Sequence, residues 1–202
     1  MATEKLYDAW ASRNPKWEIR YEDLIRNVCN YGIGETSLRE AKSKLLGAGY
    51  ELYIIAFFIG LYSNQRKPLI DDNTKIKNLG WAIENWGNIE KRSPRNQLSD
   101  YEKPKVRKPY PKIREYIFAA LIARANLDFI ALEKGEITLR KAVDILINTM
   151  EEYANYGFRF IKEKTEDNPN WLFNNEKALL EVFLGFDSEE AEDEEDDEPE
   201  EL

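Results

Sequence analysis

The chain has 202 residues, 43% of them hydrophobic, and carries 38 acidic against 29 basic side chains for a net charge of −9. The lone cysteine, Cys29, and the absence of histidine exclude an intramolecular disulfide, Cys-x-x-Cys sites and every histidine-dependent mechanism. The hydrophobic content is sufficient for one sizeable core, so we expect a folded protein in a reducing, cytoplasmic setting.

The negative charge is concentrated near the C-terminus. Residues 187–202 contain twelve acids and no base, which leaves residues 1–186 with 29 bases and 26 acids. Such a run of like charge cannot bury enough apolar surface to offset its ordering entropy. The sequence therefore predicts a mildly basic folded domain over 1–186 and a disordered acidic tail over 187–202. The tail is interpreted as a solubilising appendage, as a cover for a basic surface of the same chain, or as a lure for a basic partner.

Residues typical of helix ends predict short helices in the N-terminal half of the chain. Asn14-Pro15 separates two of them, because the residue before a proline is pushed out of helical geometry. Ser37-Leu-Arg-Glu40 has the form of a capping box at the start of another. The predicted helices cover residues 4–13, 21–30, 38–46 and 81–86.

An apolar run over residues 50–62 is compatible with a strand or with a buried helix, and we predict a helix. Its longest uninterrupted stretch, residues 52–62, is about half of the roughly 20 residues that cross a membrane. We therefore expect a core element and no membrane anchor.

Helical periodicity is strongest in the C-terminal half of the chain. One helix is predicted over 112–132, and its apolar stretch 116–123 predicts a place at the centre of the core. A second, capped by Thr138, is predicted over 139–164 because apolar residues recur there in steps of three and four. That seam packs against other helices of the chain or, alternatively, against a second copy in a homo-oligomer joined through residues 139–160. A last helix is predicted over 174–184.

Strand pairs joined by Asn-Gly or Asp-Gly turns are absent from the sequence. The predicted fold class is all-α: a single compact domain of seven or eight helices, followed by the acidic tail.

A basic, proline-rich segment interrupts the predicted helices. Residues 91–114 hold nine bases and two acids, and Pro94, Pro104, Pro109 and Pro111 prevent one continuous helix. We expect an exposed loop over 91–112, in which tyrosines could stack on bases while cations meet phosphates. A protein partner, the acidic tail or a merely solvated linker are the alternatives. The candidate partner-binding or nucleic-acid-binding residues are Lys91, Arg92, Arg95, Tyr101, Lys103, Lys105, Arg107, Lys108, Tyr110 and Lys112.

Other residue groups are assigned structural roles. Asp71-Asp72-Asn73 is interpreted as a turn or helix cap rather than a cation site, and Glu151-Glu152 as part of a solvated helix face. Trp81 and Trp86 are the tryptophans with the best claim to an interface, whereas Cys29 is interpreted as a core residue. Phosphate-loop signatures are absent, so we predict no catalytic residue, no metal ligand and no cofactor.

The segment Gly49-Tyr-Glu-Leu-Tyr-Ile-Ile-Ala-Phe-Phe-Ile-Gly60, followed by Arg66-Lys-Pro-Leu69, resembles a pattern in small accessory proteins of bacterial DNA phosphorothioation and phage-defence gene clusters. The resemblance implies a bacterial cytoplasmic protein that works near DNA-processing machinery. We therefore expect a non-enzymatic adaptor or regulator that binds a protein complex. The alternative is direct binding of DNA or RNA by the basic loop, modulated by the acidic tail.

Overall fold

The computed structural model describes residues 2–29, 46–87, 112–168, 171–174 and 182. This part of the chain contains six α-helices of five residues or more and a four-residue helix, against the seven or eight helices predicted. In chain order the elements are α1 (Ala2–Ala11), β1 (Lys16–Glu18), α2 (Glu22–Val28), α3 (Gly49–Tyr62), β2 (Ile76–Asn78), α4 (Ile113–Arg124), α5 (Phe129–Glu133), α6 (Leu139–Asp167) and α7 (Trp171–Asn174). Single 3-10 turns cover Ile19–Tyr21, Asn73–Lys75 and Ile83–Asn85.

The centre of the fold is the antiparallel pair of α3 and α6, both of which were predicted as helices. A Cβ atom on Gly60 would lie within 3.0 Å of the backbone of Tyr153, and one on Gly157 would lie within 2.6 Å of the backbone of Ala56. Because glycine has no side chain, the two helix backbones are in direct contact at these positions. The predicted seam of α6 is therefore buried within the chain from Val143 to Gly157, whereas its first residue, Leu139, is exposed.

The start of α6 also agrees with the sequence. The Thr138 hydroxyl accepts a hydrogen bond from the backbone N–H of Lys141 at 3.2 Å, which caps the helix as predicted.

The prediction of a wholly α-helical fold is wrong in one detail. β1 and β2 form a small antiparallel sheet in which Trp17 lies opposite Lys77. These strands have only three residues each and are far apart in sequence, so they are not joined by a hairpin turn that could have predicted them. The protein is mostly helical, with this sheet attached beside the helix pair.

The single helix predicted over 112–132 is two helices. The Asp128 carboxylate accepts a hydrogen bond from the backbone N–H of Ala131 at 2.9 Å and caps α5, so the chain leaves helical geometry after Arg124. α4 also does not occupy the centre of the core. Tyr116 is 65% exposed, and α4 buries one face only, whereas the apolar α3 takes the central position.

Several predicted elements lie outside the described residues: the helix over 38–46 except Leu46, which pairs with Cys29 in an isolated bridge, the basic loop over 91–112 except Lys112, most of the helix over 174–184, and the acidic tail. The helix predicted over 81–86 is shorter than expected, a 3-10 turn over Ile83–Asn85. Across the ranges that the structure describes, no helix combines the length and the apolar character needed to span a membrane.

Candidate functional site

Described residues on either side of the predicted basic loop are in contact on the surface of the fold. Of its candidate residues, only Lys112 lies in the described part of the chain, where it is exposed directly before α4. The Arg114 guanidinium donates a hydrogen bond to the backbone carbonyl of Glu84, close to the last described residue before the loop, Gly87. The described residues on either side of 88–111 therefore lie close together.

The aromatic residues near this point differ from the prediction. Trp86 is fully buried and stacks on Tyr50 with ring centroids 5.7 Å apart, so it is a core residue and not an interface residue. Trp81 is half-buried. The large exposed aromatic beside the loop is instead Tyr116, two residues after Arg114.

A polar stripe formed by Glu151, Asn155 and Arg159 runs along α6. Residues four apart lie on one face of a helix, so these side chains follow one another in successive turns. Asn155, at 2% exposure, lies at its middle. Its amide Nδ2 donates to Glu18 Oε1 at 2.8 Å and to the carbonyl oxygens of Pro68 at 2.9 Å and Lys67 at 3.2 Å. This side chain therefore attaches both β1 and the segment after α3 to the long helix.

Glu18 is a buried carboxylate with partners from three directions. Its Oε1 accepts hydrogen bonds from Asn155 and from the backbone N–H of Ile70, the latter at 3.1 Å. Its Oε2 is 2.6 Å from Arg20 Nε. A buried charge with this many partners positions them relative to one another.

The prediction that Glu151 lies on a solvated helix face is wrong, because this residue is only 6% exposed. Its carboxylate accepts a hydrogen bond from the backbone N–H of Lys16 at 2.8 Å. Burial raises the pKa of Glu151 to about 7, although Lys16 and Arg13 both act to lower this pKa. The sheet covers this carboxyl group, and a helical pattern could not show that.

Three bases from separate parts of the chain lie near the stripe. Arg20 follows β1, Lys67 follows α3, and Arg159 ends the stripe. Burial lowers the pKa of Lys67, and the positive charges of Arg20 and Arg159 lower it further. Burial also raises the pKa of the adjacent Tyr21 to about 12. Tyr21 stacks on Phe158 with ring centroids 5.3 Å apart, which brings Arg20 and its neighbours against α6.

The remaining candidates have the structural roles predicted for them. The Asp72 carboxylate accepts a hydrogen bond from the backbone N–H of Thr74 at 3.0 Å and caps a 3-10 turn. Cys29 is fully buried. Within the described ranges, no group of three or more acids or cysteines is arranged to hold a metal ion.

The sequence predictions missed the polar stripe and its buried partners. The spacing of Glu151, Asn155 and Arg159 was a visible signal, but the partners Glu18 and Lys67 are distant in sequence. Comparisons with protein-family models, with curated proteins and with solved structures yield no match to this chain.

Proposed function

We propose that the protein is a non-enzymatic adaptor that binds a protein complex through its basic loop. The resemblance of residues 49–69 to accessory proteins of phosphorothioation and phage-defence clusters favours a partner among bacterial DNA-processing machinery, in the cytoplasm. Adaptors need a rigid body and an accessible contact segment rather than a convergent catalytic set.

The observation that carries this proposal is the contact between Arg114 and Glu84. It brings together residues on either side of the predicted basic loop, and the sequence over 91–114 has a net charge of +7. Tyr116, exposed beside the same place, supplies an aromatic side chain of the kind enriched at protein interfaces.

Affinity purification from the native host, followed by mass spectrometry, tests the adaptor function. The test variant reverses two loop charges, Arg107→Glu with Lys108→Glu, and the matched control reverses an exposed Arg-Lys pair at the start of α6, Arg140→Glu with Lys141→Glu. We expect specific partners to be lost from the loop variant and retained by the control. Recovery of the same proteins with both variants, or of the bait alone with the unmodified chain, contradicts the proposal.

Direct binding of nucleic acid is the second candidate function, favoured by the exposure of Lys112 at the end of the loop. Fluorescence anisotropy with a single-stranded oligonucleotide tests it in the full chain and in a chain lacking residues 187–202. Because the tail carries twelve acids, its removal should tighten binding about tenfold at low salt and leave a steep salt dependence. A chain with glutamine in place of the tail acids controls for tail length. Negligible affinity of all three chains at low salt contradicts this function.

A further inference from the structure

We propose that the outer edge of β2 binds an extended peptide segment of a partner protein, which adds to the small sheet as a third strand. In the part of the chain that the structure describes, β2 pairs with β1 on one side only. None of its residues belongs to the basic loop, so this inference names a second contact surface and is independent of the adaptor function proposed above.

The register of the sheet shows which backbone groups face outward. The Leu79 N–H donates to the carbonyl of Pro15 at 2.9 Å, and the next pair in the ladder is Lys16 with Asn78. Hydrogen-bonded and non-hydrogen-bonded pairs alternate along an antiparallel ladder, so both members of this next pair direct their backbone groups away from the other strand. The Lys16 N–H accordingly donates to Glu151 on α6, at 2.8 Å. On β2, the corresponding groups of Asn78 face away from the sheet.

Three backbone groups on this outer edge lack a partner. Ile76 lies two residues before Asn78 and has the same orientation, and its N–H donates to the carbonyl of Asn73. Among the described residues, none bonds to the Ile76 carbonyl or to the N–H and carbonyl of Asn78. Groups two residues apart on one edge have the spacing at which an added strand forms its hydrogen bonds. Asn78 and its neighbours Lys75 and Lys77 are exposed, so the edge is open to solvent.

Two isoleucines add an apolar contact beside the edge. Ile76 lies opposite Glu18 in the register, and the Ile70 N–H donates to the Glu18 carboxylate at 3.1 Å. Both isoleucines therefore lie beside one side chain that is only 3% exposed. Ile70 is 41% exposed and Ile76 is half-buried. A peptide with a β-branched or aromatic side chain at this point would cover them.

A peptide from another protein fits this edge better than a second copy of the chain does. Lysines on an edge strand disfavour pairing between identical copies, and β2 carries Lys77 directly after Lys75 and Ile76. Within the chain, Lys75 Nζ is 3.4 Å from Asp72 and Lys77 Nζ is 2.6 Å from Glu22. The peptide therefore needs no matching charge, and its recognition depends on main-chain hydrogen bonds and the apolar contact.

The experiment selects binders for the full chain from a phage-displayed library of random decapeptides, and then titrates each enriched peptide into the chain labelled with nitrogen-15. The test variant Asn78→Pro removes the outward N–H, and the matched control Asn78→Ala keeps it. We expect the dissociation constant to rise at least about tenfold in the proline variant and to stay within about threefold in the alanine variant. The Asn78 amide should exchange rapidly in the free chain and become protected by the peptide, whereas the Leu79 amide is protected in both states.

Thermal unfolding keeps the test independent of folding. The Asn78 N–H takes no part in the ladder to β1, so Asn78→Pro should lower the unfolding midpoint by less than about 3 °C. If this variant unfolds, protection of the Asn78 amide in the unmodified chain decides the question. Protection of that amide in the dilute free chain would show that another segment of the chain covers the edge, and protection that rises with protein concentration would show a second copy there. Either result overturns the proposal, as does a selection in which no peptide distinguishes the two variants or protects the Asn78 amide.

Discussion

The two faces of α6 hold the fold together by different chemistry. One face meets α3 through apolar side chains and through Gly157, where the helix backbones touch. The other carries Glu151, Asn155 and Arg159, which meet β1 and the segment after α3 through hydrogen bonds and charge. The first face sets how closely the two central helices approach, and the second sets where the attached segments lie.

This difference shows where a binding function can reside. The glycine contact excludes water and ligands alike, because no space remains between the helices. The polar stripe begins at a buried carboxyl group and ends at the partly exposed Arg159, so its buried groups support side chains that reach solvent. Packing therefore supplies rigidity, and the polar face uses that rigidity to position charges.

The largest effect is expected from Gly157→Ala, which breaks the apolar face. The added methyl group would lie within 2.6 Å of the Ala56 backbone, so the helices must separate. We expect the free energy of unfolding, measured by urea denaturation, to fall by about 4 kcal/mol. Ala123→Ser adds one heavy atom on the exposed side of α4 and should change the stability by less than about 0.5 kcal/mol. Equal stability of the two variants would show that α3 and α6 are not in direct contact.

A rise in pH is expected to have a somewhat smaller effect on stability, because it deprotonates Glu151 on the polar face. Its pKa of about 7 in the folded protein exceeds the usual 4.5, so the folded state binds the proton more tightly than the unfolded state does. This contribution is fully present below about pH 4.5 and is lost as the pH rises through about 7, which amounts to about 3 kcal/mol. The chain has no histidine to titrate in this range.

Unfolding free energies measured between pH 4.5 and 8 check this expectation. Glu151→Gln keeps an oxygen that can accept from the Lys16 N–H and removes the titration, so its stability should vary less with pH. The groups that act on Glu151 are Lys16 and Arg13, which lower its pKa, and Glu152, which raises it. An identical pH dependence in the variant would mean that Glu151 is ionised in the folded protein throughout this range.

The apolar face could be predicted from the sequence, but the polar face could not. α3, α6 and the Thr138 cap depend on signals within a few neighbouring residues, namely an apolar run, a three-and-four spacing and a hydroxyl before the first turn. The break before Asp128 was missed because periodicity continued across it. The burial of Glu151 was missed because it depends on β1, which is far away in the sequence and has no turn signal.

The candidate site follows the same rule. Composition predicts the basic loop, since charge can be counted without a structure. Arg20, Lys67 and Arg159 are isolated single bases in the sequence, and only the fold places each of them near the polar stripe. Asn155 could equally have been an exposed helical residue, because its role depends on the carbonyl groups of Lys67 and Pro68.

Of the three changes, Asn155→Ala is expected to have the smallest effect on stability. It removes the amide that donates to Glu18, Lys67 and Pro68, which leaves the Glu18 carboxylate with one donor fewer. We expect the free energy of unfolding to fall by about 2 kcal/mol, whereas Asn148→Ala, on the exposed side of the same helix, should change it by less than about 0.5 kcal/mol.

Amide hydrogen exchange measures the effect of Asn155→Ala on the two faces of α6 separately. The segment 65–70 should lose more protection in Asn155→Ala than the backbone of α3 does, because Asn155 donates to the carbonyls of Lys67 and Pro68 in that segment. Equal loss of protection in both regions would show that the two faces unfold together and that the polar stripe has no separate positioning role.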